Sequence, residues 1–168
     1  MPPRFRGSYT QKVDAKGRMS VPASFRRVIE LCDPDWREGL RPNFVIVHGD
    51  HRRPVLECFS IETMNEIDLR IDAMDIGSVE REMAEEVFYG QSVMTQVDED
   101  GRIVLPQRLR EKLVLEGDAL FAALGNRFEI WKPESHDALK GPQTRAFIDT
   151  QPDRIGSLSM LQLRRADP

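Results

Sequence analysis

Two aspartates supply the first chemical possibility in this chain. Asp14 and Asp98 each open the pattern Asp-x-x-Gly-Arg, completed by Gly17 and Arg18 in one copy and by Gly101 and Arg102 in the other. Brought together by symmetry, two such carboxylates would form an acid/base dyad. The arginine four positions after each aspartate argues against it, because an opposite charge across a tight turn lowers both carboxylate pKa values. The pair then reads as a brace of the turn. A second possibility is a metal, since His48 and His51 flank Asp50 in a His-x-x-His spacing. Arg52 and Arg53 follow directly and repel a cation, and the later part of the chain has no histidine at the matching place. There is no phosphate-binding loop, no Gly-x-Gly-x-x-Gly after a strand and no serine nucleophile elbow. No catalytic residue, metal ligand or cofactor is assigned.

A third chemistry is nucleic-acid binding. The net charge of −4 alone points away from it, but the charges are unevenly placed. Residues 1–27 hold seven basic side chains against the single acid Asp14, a net of +6, whereas residues 61–100 hold twelve acids against Arg70 and Arg81, a net of −10. That pattern suggests a basic functional face on an acidic body. Lys16 and Arg18 lie at or beside the first turn, with Arg4, Arg6 and Lys12 on the strand leading into it. A narrow basic hairpin enters a major groove, where arginine suits guanine and lysine suits phosphate. Otherwise Arg18 only pairs with Asp14 and the remaining charges stay in water.

The elements that must position these residues occur twice. Val13-Asp14-Ala15-Lys16-Gly17-Arg18-Met19-Ser20-Val21-Pro22 returns as Val97-Asp98-Glu99-Asp100-Gly101-Arg102-Ile103-Val104-Leu105-Pro106, at a constant offset of 84. Arg26 and Arg110 match further on. Upstream, Phe5-x-Gly7 echoes Phe88-x-Gly90. Downstream, residues 44–49 echo 120–125 and residues 56–59 echo 128–131, so the hairpins differ by four residues. In each copy the motif reads as a strand, a tight turn with glycine at φ > 0, a return strand, a proline and a short helix (24–31 and 107–113), followed by a hairpin. Two β-rich units of roughly 50 residues are each too small to bury a sheet alone. They imply a pseudo-two-fold and one shared barrel. The expected division is residues 1–62 and 88–140 as the two units, 63–87 as an acidic helical linker, and 141–168 as a flexible or partly helical tail.

The linker has Ser60 as a helix cap with Ile61, Met64, Ile67, Ile71 and Met74 at helical spacing, then Ser78 capping a second helix. Residues 133–140 read as a short helix, and any helix in the tail is expected around 155–163. The longest apolar run, 119–124, is far too short to span a bilayer, and the N-terminus has no apolar signal region. Cys32 and Cys58 form neither a disulfide framework nor a zinc cage. A reducing cytoplasm, with no membrane partner, is the expected setting.

The stretch Phe-Arg-Gly from Phe5, Val-Asp-x-Lys-Gly-Arg from Val13, and Val-Pro-x-x-Phe-Arg from Val21, together with the second copy from Val97, resembles the MraZ family over about residues 4–140. These are bacterial transcriptional regulators of the AbrB/SpoVT-like superfamily. The resemblance implies an α+β, mostly β fold of two swapped-hairpin units in a pseudo-two-fold barrel, and a ring-shaped homo-oligomer. It implies double-stranded DNA as partner, through short G-rich direct repeats upstream of its own gene at the head of a division and cell-wall cluster, usually as a repressor. By motif position Arg18 is the main DNA residue and Arg102 its counterpart, with Asp14, Gly17, Asp98 and Gly101 supporting the turns. One departure is Asp100, an acid where the first copy has Lys16. The competing reading is an AbrB-fold antitoxin-like or interaction module without promoter specificity.

Overall fold

Each Asp-x-x-Gly-Arg turn joins a five-residue strand to a three-residue one. In the first repeat these are β1 (Ser8–Lys12) and β2 (Arg18–Ser20), followed by α1 (Ala23–Leu31) and the hairpin β3 (Asn43–Val47) and β4 (Val55–Ser60). Helices α2 (Ile61–Asp72) and α3 (Val79–Glu85) come next, each capped by the serine before it: Ser60 Oγ accepts from the Thr63 amide and Ser78 Oγ from the Arg81 amide. A π-helical turn at Glu86–Gly90 leads into the second repeat, β5 (Ser92–Gln96), β6 (Arg102–Val104), α4 (Gln107–Leu113), β7 (Asp118–Ala123) and β8 (Arg127–Trp131). The computed structural model describes residues 2–161.

The repeats exchange their first strands. β1 pairs with β7, and β5 pairs with β3, so the antiparallel sheet runs β1-β7-β8-β4-β3-β5. β2 and β6 pair only with each other, in a separate two-stranded ribbon. Two pairs mark the pseudo-two-fold. Met19 faces its own equivalent Ile103 in the ribbon, and Glu57 faces Glu129 between β4 and β8. The expected class, two-fold and shared core are therefore present, whereas the strands do not close into a barrel. β2 and β6 stop after three residues at Pro22 and Pro106, which have no N–H to donate and open helices instead.

Both repeats feed one core. Phe128 sits among Phe5, Phe25, Phe44 and Phe121, with ring centroids 5.1–5.7 Å away. Met19 and Ile103 seal it from the ribbon side. The opposite face of the β3–β4 hairpin carries Val45, Val47 and Phe59, packed against Met64 and Ile67 of α2 and Val87 and Phe88 of the following turn. Phe88 thus lies outside the main core that holds Phe5, so the expected echo of Phe5-x-Gly7 by Phe88-x-Gly90 is not structural. The hairpin echo also moves by one residue. Ladder register makes Phe121 the equivalent of Ile46 and Ala122 that of Val47, so the hairpins differ by three residues between equivalent positions rather than four.

From Glu134 the chain forms a second unit. Around α5 (Pro133–Ser135) come a π-helical turn at His136–Lys140, α6 (Gly141–Asp149) and a 3-10 turn at Gly156–Met160. α6 replaces the weakly structured stretch expected after Gly141; Pro142 falls in its first turn, where a missing N–H costs no hydrogen bond. Of the helix expected at 155–163, Gln162 and Leu163 lie outside the described residues.

The Glu57–Glu129 pair places like charges directly opposite, an unfavourable arrangement. Glu129 is 2% exposed, receives the Trp131 indole N–H at 3.2 Å and lies 3.7 Å from Arg53. Burial pushes the Glu57 carboxyl up; Arg53 opposes this, and Glu129 adds to it. A carboxyl raised in the folded state contributes stability below its unfolded pKa and loses it as pH rises through the folded value. Glu57→Gln is expected to melt above the parent at pH 7. The gain should vanish on acidification past the ordinary glutamate value of 4.5, as scanning calorimetry across that range will show.

Candidate nucleic-acid interface

The first turn is built around one carboxylate. Asp14 Oδ1 accepts the amides of Lys16 and Arg18, each at 2.9 Å, and Oδ2 accepts Arg18 Nε at 2.6 Å. Backbone bonds close the loop from both sides: the Asp14 amide donates to the Arg18 carbonyl and the Gly17 amide to the Asp14 carbonyl, both at 3.0 Å. Gly17 has φ +81, and a β-carbon there would stand 2.5 Å from the Leu105 carbonyl oxygen. Asp14 is held below its ordinary value of 3.8, first by the Arg18 amide and then by the Arg18 side chain. Asp and Arg side chains are still 40% and 46% exposed. Nε is the bracing nitrogen, so among the described residues the two terminal nitrogens of Arg18 carry no hydrogen bond.

The second turn repeats the backbone and changes the side chains. Asp98 Oδ1 accepts the amides of Asp100 and Arg102 at 2.9 Å, and Gly101 has φ +76. No side-chain bond joins Arg102 to Asp98 among the described residues. Glu99 is instead clamped by Arg41, with Nε and Nη2 each 2.8 Å from a carboxylate oxygen.

Between the turns runs the ribbon. Met19 and Ile103 point into the core, so Arg18, Ser20, Arg102 and Val104 share the exposed face. Arg18 pairs with Val104 and Arg102 with Ser20, which makes the two arginines diagonal neighbours, roughly 7–8 Å apart. Each turn is also held by the other repeat. The Leu105 amide donates to the Gly17 carbonyl at 2.8 Å, and the Val21 amide to the Gly101 carbonyl at 2.9 Å. From α4, Arg110 Nη1 donates to the Ala15 carbonyl at 3.2 Å; from α1, Arg26 reaches Gly101. Arg26 and Arg110 stood out in the sequence only as matching letters. Their spacing from the motif was visible; their crossing to the opposite turn was not.

The expected basic residues separate into two groups. Lys12 and Lys16 are exposed beside Arg18, and Lys12 lies 3.8 Å from Asp118. Arg4 and Arg6 lie at the other end of β1, where Phe5 bridges Gly125. At about 3.3 Å per residue that end is on the order of 20 Å from Lys12. Among the described residues no group of three or more His, Cys, Asp or Glu is arranged to hold a metal ion, and no helix is long and apolar enough to cross a membrane. A two-stranded ribbon carrying two arginines, with lysines beside one end, is the kind of element that a major groove admits.

Because its folded pKa is lowered, Asp14 contributes stability above 3.8 and loses it as pH falls through the lower folded value. A carboxyl-carbon NMR titration should place the Asp14 midpoint below 3.8. In Arg18→Ala the midpoint should return only part of the way, since the backbone amides remain. A midpoint at or above 3.8 in the parent chain would remove the brace.

The family described as "MraZ protein, putative antitoxin-like" matches residues 88–152. A protein named transcriptional regulator MraZ from Ruegeria pomeroyi is 48% identical over 158 residues, covering 94% of this chain and 95% of its own. One of the same name from Cereibacter sphaeroides is 40% identical over 161 residues, covering 92% and 95%. Another, from Parvibaculum lavamentivorans, is 39% identical over 141 residues, covering 80% and 79%.

Proposed function

The chain belongs to the MraZ family of transcriptional regulators, and from that premise we propose that it binds double-stranded DNA sequence-specifically through the β2–β6 ribbon and its two turns. The observation that carries this is the ribbon's outer face, where Arg18 and Arg102 stand as diagonal neighbours about the pseudo-two-fold. Arg18, with Lys16 and Lys12 beside it, is the principal contact, and Arg102 is the second. Asp14, Gly17, Asp98 and Gly101 hold the backbone. Arg4 and Arg6 are not part of this surface, because they lie at the far end of β1.

The family resemblance extends the proposal to a cytoplasmic, nucleoid-associated regulator. It represses the division and cell-wall cluster that includes its own gene, at short G-rich direct repeats. One ribbon with a few basic contacts binds weakly and with little specificity. A ring of copies that meets tandem repeats gains affinity without new contacts, provided the repeats fall about one helical turn apart on one face of the duplex. Such a ring keeps the acidic linker, residues 63–87, away from the phosphates. No cofactor is required.

Fluorescence anisotropy on the DNA upstream of the gene, against a shuffled fragment at two salt concentrations, tests the reading. Parent protein should prefer the upstream fragment. Loss of an arginine–guanine pair in Arg18→Ala should weaken that fragment by roughly 5- to 150-fold, about 1–3 kcal/mol, and narrow the preference. If Arg18 holds a phosphate, both fragments should weaken alike and the salt slope should fall by about 1. Equal, weak binding to both fragments, unchanged by the substitution, would favour the interaction-module reading.

A further inference from the structure

The histidine pair that reads as a weak metal motif lies in a strongly cationic setting. His48, His51, Arg52 and Arg53 of the β3–β4 tip, with Gln91 just before β5 and Lys112 of α4, line a cavity of 450 Å³. The acid of the same tip, Asp50, is already taken: Arg52 Nε and Nη2 donate to its two oxygens at 2.9 and 3.0 Å, and Arg53 lies 3.8 Å away. Arg53 also faces Glu129 at 3.7 Å. Lys112 Nζ donates to the carbonyls of His48 and Asp50, both neutral, and among the described residues no carboxylate lies within ion-pair distance of it.

Two polar groups at this cavity lack an acceptor or a counter-charge. One is the half-buried Lys112 ammonium. The other is His48 Nε2, buried and without a hydrogen-bond partner. The charge balance agrees: burial lowers the Lys112 pKa, with Asp50 and Glu57 opposing and Arg53 reinforcing, while burial and then Arg108 and Lys112 lower that of His48. A metal ion would add to this excess of positive charge. An oxyanion would offset it.

We propose that the cavity between the β3–β4 tip and α4 binds a small phosphate-bearing anion, separately from the DNA-binding ribbon. With Asp50 set against Arg52 and Glu129 against Arg53, the Lys112 ammonium is left without a counter-charge, which a phosphate oxygen would supply, and the volume is in the range of small-molecule sites, roughly 300–1,000 Å³, so it leaves room for a phosphorylated organic group. Lys112 and Arg52 are the principal donors, and His48 and His51 flank them.

Histidine ring-proton NMR tests this on the full chain, which has three histidines, His48, His51 and His136. Inorganic phosphate, pyrophosphate and AMP are titrated against sodium chloride of matched ionic strength. Phosphate is expected to shift His48 and His51 but not His136, and to raise the His48 midpoint. AMP acting at lower concentration than phosphate assigns the ligand to nucleotides; equal action assigns it to phosphate itself. Lys112→Gln and Arg52→Gln should each weaken the response at least about tenfold. The Arg52 side chain is 78% exposed, so its replacement leaves the fold intact. Three results overturn the proposal: shifts that chloride reproduces, shifts that survive in both variants, or shifts that follow protein concentration without anion. The last would assign the tip to an acidic segment of a second copy.

Discussion

Everything in the larger unit depends on strand exchange between the two repeats. β1 has no partner in its own repeat and finds one in β7; β5 finds one in β3. The same dependence reaches the turns, because the Gly17 carbonyl is satisfied by the Leu105 amide and the Gly101 carbonyl by that of Val21. A single repeat would therefore keep a lone hairpin, a short unpaired strand and an open turn, a combination with too little buried surface to stand alone. Folding the core and shaping the β2–β6 ribbon are one event. Met19 and Ile103 make that coupling concrete, since they are both the centre of the ribbon and the lid of the aromatic core.

Symmetry sets the backbone, and the side chains then break it. Both turns use an aspartate to collect two amides at 2.9 Å. In the first turn the aspartate also engages the Arg18 side chain, and the neighbours are Lys12 and Lys16. In the second the neighbours are Glu99 and Asp100, and Arg41 is spent on Glu99. The ribbon thus presents two arginines of similar position in opposite electrostatic surroundings. Oriented backbone positions each guanidinium, and nearby charge decides how strongly a polyanion is drawn to it.

Much of this arrangement could be read directly from the letters. The offset of 84 located both turns, the glycines and the residues of the two-fold, and the serine caps located α2 and α3. The hairpin register was harder to read for a physical reason. Phe44, Val45, Ile46 and Val47 are all buried, alternately in the main core and against α2, so no apolar/polar alternation marks which face is which, and a one-residue slip is invisible. Arg4 and Arg6 shared a charge run with Lys12, but a strand carries charge away along its length, and adjacency in sequence is not adjacency on a surface. The crossing of Arg26 and Arg110 depended on the exchange itself. The hairpin-tip cavity depended on α4 reaching a loop more than sixty residues away.

The exchange also has an evolutionary side. A one-repeat ancestor with this topology would have had to fold as a pair of identical chains, and every substitution in its turn would have appeared on both sides of the axis at once. Joining the copies through α2 and α3 removes that restriction. One turn is then free to gain a lysine at position 16 while the other gains an aspartate at position 100, and one hairpin is free to grow a longer tip than its twin. Covalent fusion turns an obligate symmetry into an inherited starting point, from which the two halves drift toward separate tasks inside a single fold.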